Sequence, residues 1–281
     1  MRFSMSSFLY LHYPLEESIK RIAAAGYDAI DIWGGRPHAY RRDLTRDEIT
    51  SLRCLLSETG LSIASYIPAQ FRYPTCLCSP IPVIRNDSVR YICEGIDTAA
   101  ELGAPIVSVC PGHSLFGQSL KEARSCLVES LGTIGLHAQK CGIRIAIEPA
   151  DRYETDLIYT TAEAVALIKE MGQAGIGVVL DNGHCQVVGE SAARAARELG
   201  RYLYHVHLDD NDGLRDQHLV PGEGKCDISS FMVALAEMGY PGYVTAELGF
   251  DYTQEPDKAA SLTLARMRAY SNAAGYRAES G

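Results

Sequence analysis

The chain has 281 residues, 47% of them hydrophobic, and a formal net charge of −9. That length can bury a full core, and an acidic surface with scattered basic residues repels nucleic-acid phosphates and anionic lipid. No apolar run is long enough to span a membrane and the N-terminus is too mixed for a signal peptide. Nine cysteines, an odd number with no C-x-x-C pair, suit a reducing compartment, so a cytoplasmic location is expected.

Short β-rich runs alternate with amphipathic segments along the chain. The predicted strands are RFSMSSFLY (2–10), YDAIDIWGG (27–35), LSIASYIP (61–68) and APIVSVCPG (104–112). They continue with IRIAIEP (143–149), IGVVLDNGH (176–184), YLYHVHLDD (202–210) and YVTAELG (243–249). Helical stretches such as PLEESIKRIAAAG and DEITSLRCLLSETG lie between them, several closing on a glycine just before the next strand, as helix C-caps do. About eight β-α units without a G-x-G-x-x-G turn predict an α/β protein, one closed (β/α)₈ barrel over residues 1–281, with an open α/β sheet as the runner-up. Two long non-periodic segments, 67–86 and 208–226, follow the third and seventh strands. In a barrel both lie at the C-terminal face, where loops build a site.

Four consecutive strands end on residues that bind metals. Strand 5 ends in Glu148, strand 6 in Asp181 with His184 three residues on, strand 7 offers His207, and strand 8 ends in Glu247. One acid at a strand end is ordinarily a helix cap, and one histidine on an inward face is ordinarily packed. Four on adjacent strands at one rim would repel one another unless a cation neutralised them. Three carboxylates and one imidazole are a mostly hard donor set, so Mn²⁺ leads, with Co²⁺, Mg²⁺, Ni²⁺ or Zn²⁺ as alternatives. His205, two residues before His207 and on the same strand face, is assigned to packing or to support of its neighbour.

These strand ends resemble the xylose-isomerase-like TIM-barrel superfamily, in its ketose 3-epimerase branch. EPADRYE at 148–154 is similar to that family's metal-binding Glu followed six residues later by a substrate-binding Glu. DNGH at 181–184 resembles its D-x-x-H, HVH at 205–207 its H-x-H, and AEL at 246–248 its last ligand segment. IWGGRPHA at 32–39, PGEGK at 221–225 and GYPGYVTAELGFDYTQEP at 239–256 resemble the fructoselysine 3-epimerase group more closely. The resemblance implies one divalent ion on Glu148, Asp181, His207 and Glu247, with Glu148 and Glu247 as the acid/base pair. It also implies that Glu154 and His184 contact substrate. Where the free-ketose epimerases carry an Arg after H-x-H, this chain has LDDNDGLRDQH, which leads to His218 and favours a substituted ketose.

The expected reaction is 3-epimerisation of a ketose or ketosamine through an enediolate, the cation acting as Lewis acid and the two glutamates exchanging a proton on opposite faces. Trp33, Arg36, His38 and Tyr66 at the ends of strands 2 and 3, with His218, are further candidates for contact with the sugar; Trp33 reads equally as a core-capping aromatic. An aldose–ketose isomerase or a metal-dependent dehydratase would use the same constellation, and a sugar-binding barrel without catalysis is the non-enzymatic alternative. The expected partners are a small sugar and further copies of the chain, with no nucleic acid and no membrane.

Overall fold

Local chemistry sets where the helices begin. In T-R-D-E at 45–48 the Thr45 hydroxyl accepts the Glu48 N–H at 3.3 Å and the Glu48 carboxylate accepts the Thr45 N–H at 2.7 Å, a reciprocal capping box. Thr160 and Glu163 repeat it at the start of another helix. The helix ends follow the glycines: Gly60, for example, sits at φ 70°, in the left-handed region that costs a residue without Cβ little.

A computed structural model describes residues 1–70 and 75–276. The strands are β1 (Arg2–Ser6), β2 (Ala29–Gly34), β3 (Ser62–Pro68), β4 (Ile106–Val109), β5 (Arg144–Ile147), β6 (Ile176–Asp181), β7 (Leu203–Leu208) and β8 (Tyr243–Ala246). They pair in chain order, all parallel, and β1 closes on β8. The helices are α1 (Leu15–Ala25), α2 (Arg46–Thr59), α3 (Pro82–Leu102), α4 (Leu120–Cys141), α5 (Thr161–Met171), α6 (Asn182–Val188), α7 (Ala192–Leu199), α8 (Ile228–Glu237) and α9 (Pro256–Ala273). The closed barrel excludes the open sheet. Among the described residues no helix is long and apolar enough to cross a membrane.

The strands are shorter than the sequence runs. After β1, Ser7–Tyr10 forms a 3₁₀ turn, and the Ser6 hydroxyl accepts the Phe8 N–H. The last residues of the sixth predicted strand open α6, because the Asp181 carboxylate takes the first free N–H groups. Pro111 and Gly112 end the fourth run. Residues 71–74 of the 67–86 segment lie outside the described residues, and α3 already begins at Pro82.

Helices cover the barrel with apolar stripes, as on α4, where Leu127, Leu131, Ile134 and Ala138 are all buried. The interior of the barrel, by contrast, carries a polar layer. Asp31 of β2 is 0% exposed. It accepts Ser4 Oγ of β1 at 2.9 Å, Ser65 Oγ of β3 at 2.6 Å and Thr245 Oγ1 of β8 at 2.8 Å, and His205 Nε2 of β7 lies 2.6 Å away. Burial pushes this carboxyl up, but the imidazoles of His205 and His207 outweigh it and hold it well below the usual carboxylate range.

Candidate active site

Parallel strands deliver their last inward side chains to one rim, and here β5 to β8 deliver three acids and an imidazole. One oxygen each of Glu148, Asp181 and Glu247 and one ring nitrogen of His207 lie within 4.8 Å of one another. His207 Nδ1 is 2.7 Å from Glu148 Oε1, 3.0 Å from Glu247 Oε2 and 3.8 Å from Asp181 Oδ2. His207 Nε2 is 3.5 Å from Asp31 Oδ2, so the polar layer stands directly beneath the cluster.

Asp181 serves two ends. Its Oδ1 accepts the N–H groups of Gly183 and His184 at 2.6 and 3.0 Å, while the buried Oδ2 points into the cluster without a hydrogen-bond partner. Three buried carboxylates around one imidazole, with an unpaired oxygen among them, fit a divalent cation. Ser108 Oγ steadies the far oxygen of Glu148 at 3.1 Å. Burial pushes Glu148 up, but the His207 imidazole reverses this and brings it to about 2. Burial raises Asp181 to about 6.

A cavity of about 330 Å³ opens over the cluster, large enough for a small polar ligand. Glu148, Glu247, Glu154, His184 and His218 form its polar wall. Phe8, Trp33 and Phe250 form an aromatic wall opposite, with ring centroids 5.0 Å (Phe8–Trp33) and 5.1 Å (Phe8–Phe250) apart. No Lys or Arg is among the described lining residues. Glu154 Oε2 lies 3.7 Å from His184 Nε2, and burial pushes the Glu154 carboxyl up to about 7. His218 is the only non-glycine among the described residues with positive φ, at 48°, a conformation that costs about 1 kcal/mol or more.

Trp33 packs with Leu11, Ile67 and Ala69 and also lines the cavity. Three other candidates are placed elsewhere. His38 is buried behind the wall, with Nδ1 3.0 Å from Ser7 Oγ and Nε2 near the carbonyls of Tyr10 and Tyr13. Arg36, its side chain 60% exposed, makes a two-pronged pair with Asp43. Tyr66 is buried with its hydroxyl donating to the Ala39 carbonyl at 2.7 Å. The protein itself packs closely against Gly34 and Gly35: a Cβ at Gly34 would strike the Tyr66 ring, and one at Gly35 the Trp33 indole.

Sequence reasoning also missed residues. Asp31, one acid within an otherwise apolar strand, was the available signal for the interior hub. Phe8 and Phe250 carried none, being ordinary aromatics until the fold brings β1 beside β8.

The family profile described as "Xylose isomerase-like TIM barrel" matches residues 19–270. The chain belongs to that family. It is 29% identical to a fructoselysine 3-epimerase of Shigella flexneri, over 96% of this chain and 98% of that protein. It is 25% identical to a D-psicose 3-epimerase of Enterocloster bolteae, over 81% and 74% of the two chains. Among solved structures, a 3-keto-D-glucoside 4-epimerase from E. coli superposes with a TM-score of 0.81 at 22% identity, over 96% of this chain and 99% of that one. An L-ribulose 3-epimerase does so with 0.83 at 18%, over 98% and 95%. At such identities these structures establish the shared fold.

Proposed function

We propose that this chain is a metal-dependent 3-epimerase acting on a ketose, and most specifically on a ketosamine of the fructoselysine type. That it is an enzyme acting on sugars rests on relatives named as sugar epimerases along nearly its whole length. The observation that carries the 3-epimerase reading is the pair Glu148 and Glu247. Their oxygens approach the same His207 nitrogen at 2.7 and 3.0 Å, they leave strands separated by β6 and β7, and both face one cavity.

Glu148, Asp181, His207 and Glu247 would hold the divalent cation, which supplies Lewis-acid polarisation of a carbonyl and its neighbouring hydroxyl. Glu148 and Glu247 then act on opposite faces of the carbon beside the carbonyl, one removing its proton and the other returning one. Ser108 keeps Glu148 in place. Glu154 and His184, at the polar wall, hold the hydroxyls of the sugar. The aromatic wall of Phe8, Trp33 and Phe250 excludes water from the reacting carbon and accepts the less polar part of a substituent. An acidic cavity without Lys or Arg among its described lining residues favours a substrate carrying an amine over one carrying a phosphate.

The test is incubation of ketoses and 1-amino-1-deoxyketoses in D₂O with Mn²⁺, followed by NMR. Deuterium at C3 of an epimerised product is expected. Deuterium at C2 of an aldose product, with none entering at C3, would overturn the reading in favour of an isomerase, and a new enone signal would overturn it in favour of a dehydratase.

A further inference from the structure

On the outside of the barrel, α3 and α4 pack side by side and turn a separate set of donors toward each other. Cys93 and Asp97 stand four residues apart on α3, and His137 and Cys141 four apart on α4. Each pair therefore shares one helix face. His137 Nε2 lies 2.7 Å from Asp97 Oδ1, and Cys141 Sγ donates to the same oxygen at 3.6 Å. One donor atom each of Asp97, His137 and Cys141 falls within 4.8 Å of the others. Both helices run back from the Glu148 rim to the start of the next strand, and these residues lie toward their C-terminal ends. The group thus sits near the N-terminal face of the barrel, remote from the cavity.

An exposed histidine–aspartate pair contributes little to stability by itself, so the fold does not require three donors from two helices to meet on one oxygen. A thiolate, an imidazole and a carboxylate are a softer set than the three acids and imidazole of the rim, and they suit Zn²⁺ rather than Mn²⁺. Cys141 is the last residue of α4, where the negative end of the helix dipole also favours a cation. Partial burial and the Asp97 carboxylate hold the Cys141 thiol above its ordinary range, so an ion would displace the thiol proton. Asp97 is open to solvent and His137 and Cys141 are half-buried, which gives an ion access without opening the fold. We propose that Asp97, His137 and Cys141 form a Zn²⁺ site that clamps α3 to α4, with water completing the tetrahedron and Cys93 outside the ligand set. Its role is structural and independent of the reaction.

The test uses the metal alone. The full chain, its cysteines reduced, is titrated with Co²⁺, whose thiolate complexes absorb strongly in the near ultraviolet, as a site of carboxylates and imidazole alone does not. A thiolate band that saturates at one such ion per chain and is bleached by Zn²⁺ is expected in the wild type. It should be lost in Cys141→Ser and in His137→Gln and kept in Cys93→Ser, each variant checked for a wild-type circular-dichroism spectrum. Zinc-soaked crystals should show an anomalous peak between α3 and α4. A wild type without the band at saturating Co²⁺ would overturn the site. A band that survives in Cys141→Ser would overturn the assignment by placing the ion on another thiol, and its loss in Cys93→Ser would overturn the three-ligand set.

Discussion

Replacing Asp31 by asparagine keeps the shape of the side chain and removes the charge on which β1, β3, β7 and β8 converge. The carboxylate takes two contacts on each oxygen, Ser4 and Thr245 on Oδ1 and Ser65 and His205 on Oδ2. An amide keeps one acceptor oxygen and turns an NH₂ toward the other pair, where the Ser4 and Thr245 hydroxyls can rotate to accept. All four contacts then fall from charged to neutral hydrogen bonds, a loss of about 1 kcal/mol each. The sum agrees with the roughly 3–5 kcal/mol found on removing one partner of a buried charge pair. For a chain of this size about 4 kcal/mol corresponds to a fall in Tm of about 7 °C. Ser65→Ala, which takes away one donor and leaves the carboxylate three contacts, should cost only about 1 kcal/mol. Both are measured by equilibrium urea unfolding in EDTA, so that metal binding does not contribute. A second effect follows from the 3.5 Å approach of Asp31 Oδ2 to His207 Nε2: with added Mn²⁺, Asp31→Asn should bind the ion about 10–100-fold more weakly. An Asp31→Asn protein within 1 kcal/mol of wild type in EDTA would refute the hub.

Other consequences are open to direct measurement. Glu148→Gln and Glu247→Gln should each lower epimerisation by at least about 10²–10⁴, the size of a general acid–base contribution; a variant retaining near-wild-type turnover would remove that residue from the chemistry. Dialysis against EDTA should abolish turnover and Mn²⁺ or Co²⁺ should restore it, whereas full activity in the metal-free chain would dismiss the cation. Glu154→Ala and His184→Ala should impair turnover while the Glu148 cluster keeps its ion, and unchanged kinetics in both would assign them to the scaffold. Among half-buried thiols, the hydrogen bond from Cys78 brings Cys76 down to about 7, while burial pushes Cys93 up to about 11. The thiolate is the reactive form, so iodoacetamide at neutral pH should label Cys76 before Cys93; equal rates at the two by peptide mass spectrometry would contradict this.

The barrel and its rim were legible because both follow from periodicity. Eight short apolar runs separated by helical stretches predict parallel strands, and parallel strands bring their last residues together whatever their separation in sequence. Glu148, Asp181, His207 and Glu247 could therefore be read as neighbours from position alone. Side chains whose partners lie across the fold were not legible in this way. Arg36, His38 and Tyr66 sit close to the strand ends, but nothing local says that Asp43, Ser7 and the Ala39 carbonyl would claim them first. Asp31 is the converse case, a charge whose use depends on four other strands.

The segment after β7 shows how one strand exit serves two purposes. Asp209 and Asp210 are neighbours, and alternation turns their side chains to opposite sides. Asp210 turns toward P-G-E-G-K. Its Oδ2 accepts the N–H groups of Gly222 and Gly224 at 2.8 and 2.9 Å, and its Oδ1 those of Asn211 and Cys226 at 2.9 Å each. A Cβ at Gly224 would strike the Asn211 backbone, so the motif needs glycine there for close approach rather than for chemistry. The loop is pinned at both ends by that carboxylate and by the pairing of Asp210 with Leu219. His218, next to that pairing, is thereby held facing Asp209. A motif with no donor to the Glu148 cluster thus fixes the histidine that faces the cavity, and its specificity in the sequence reflects the loop it fastens.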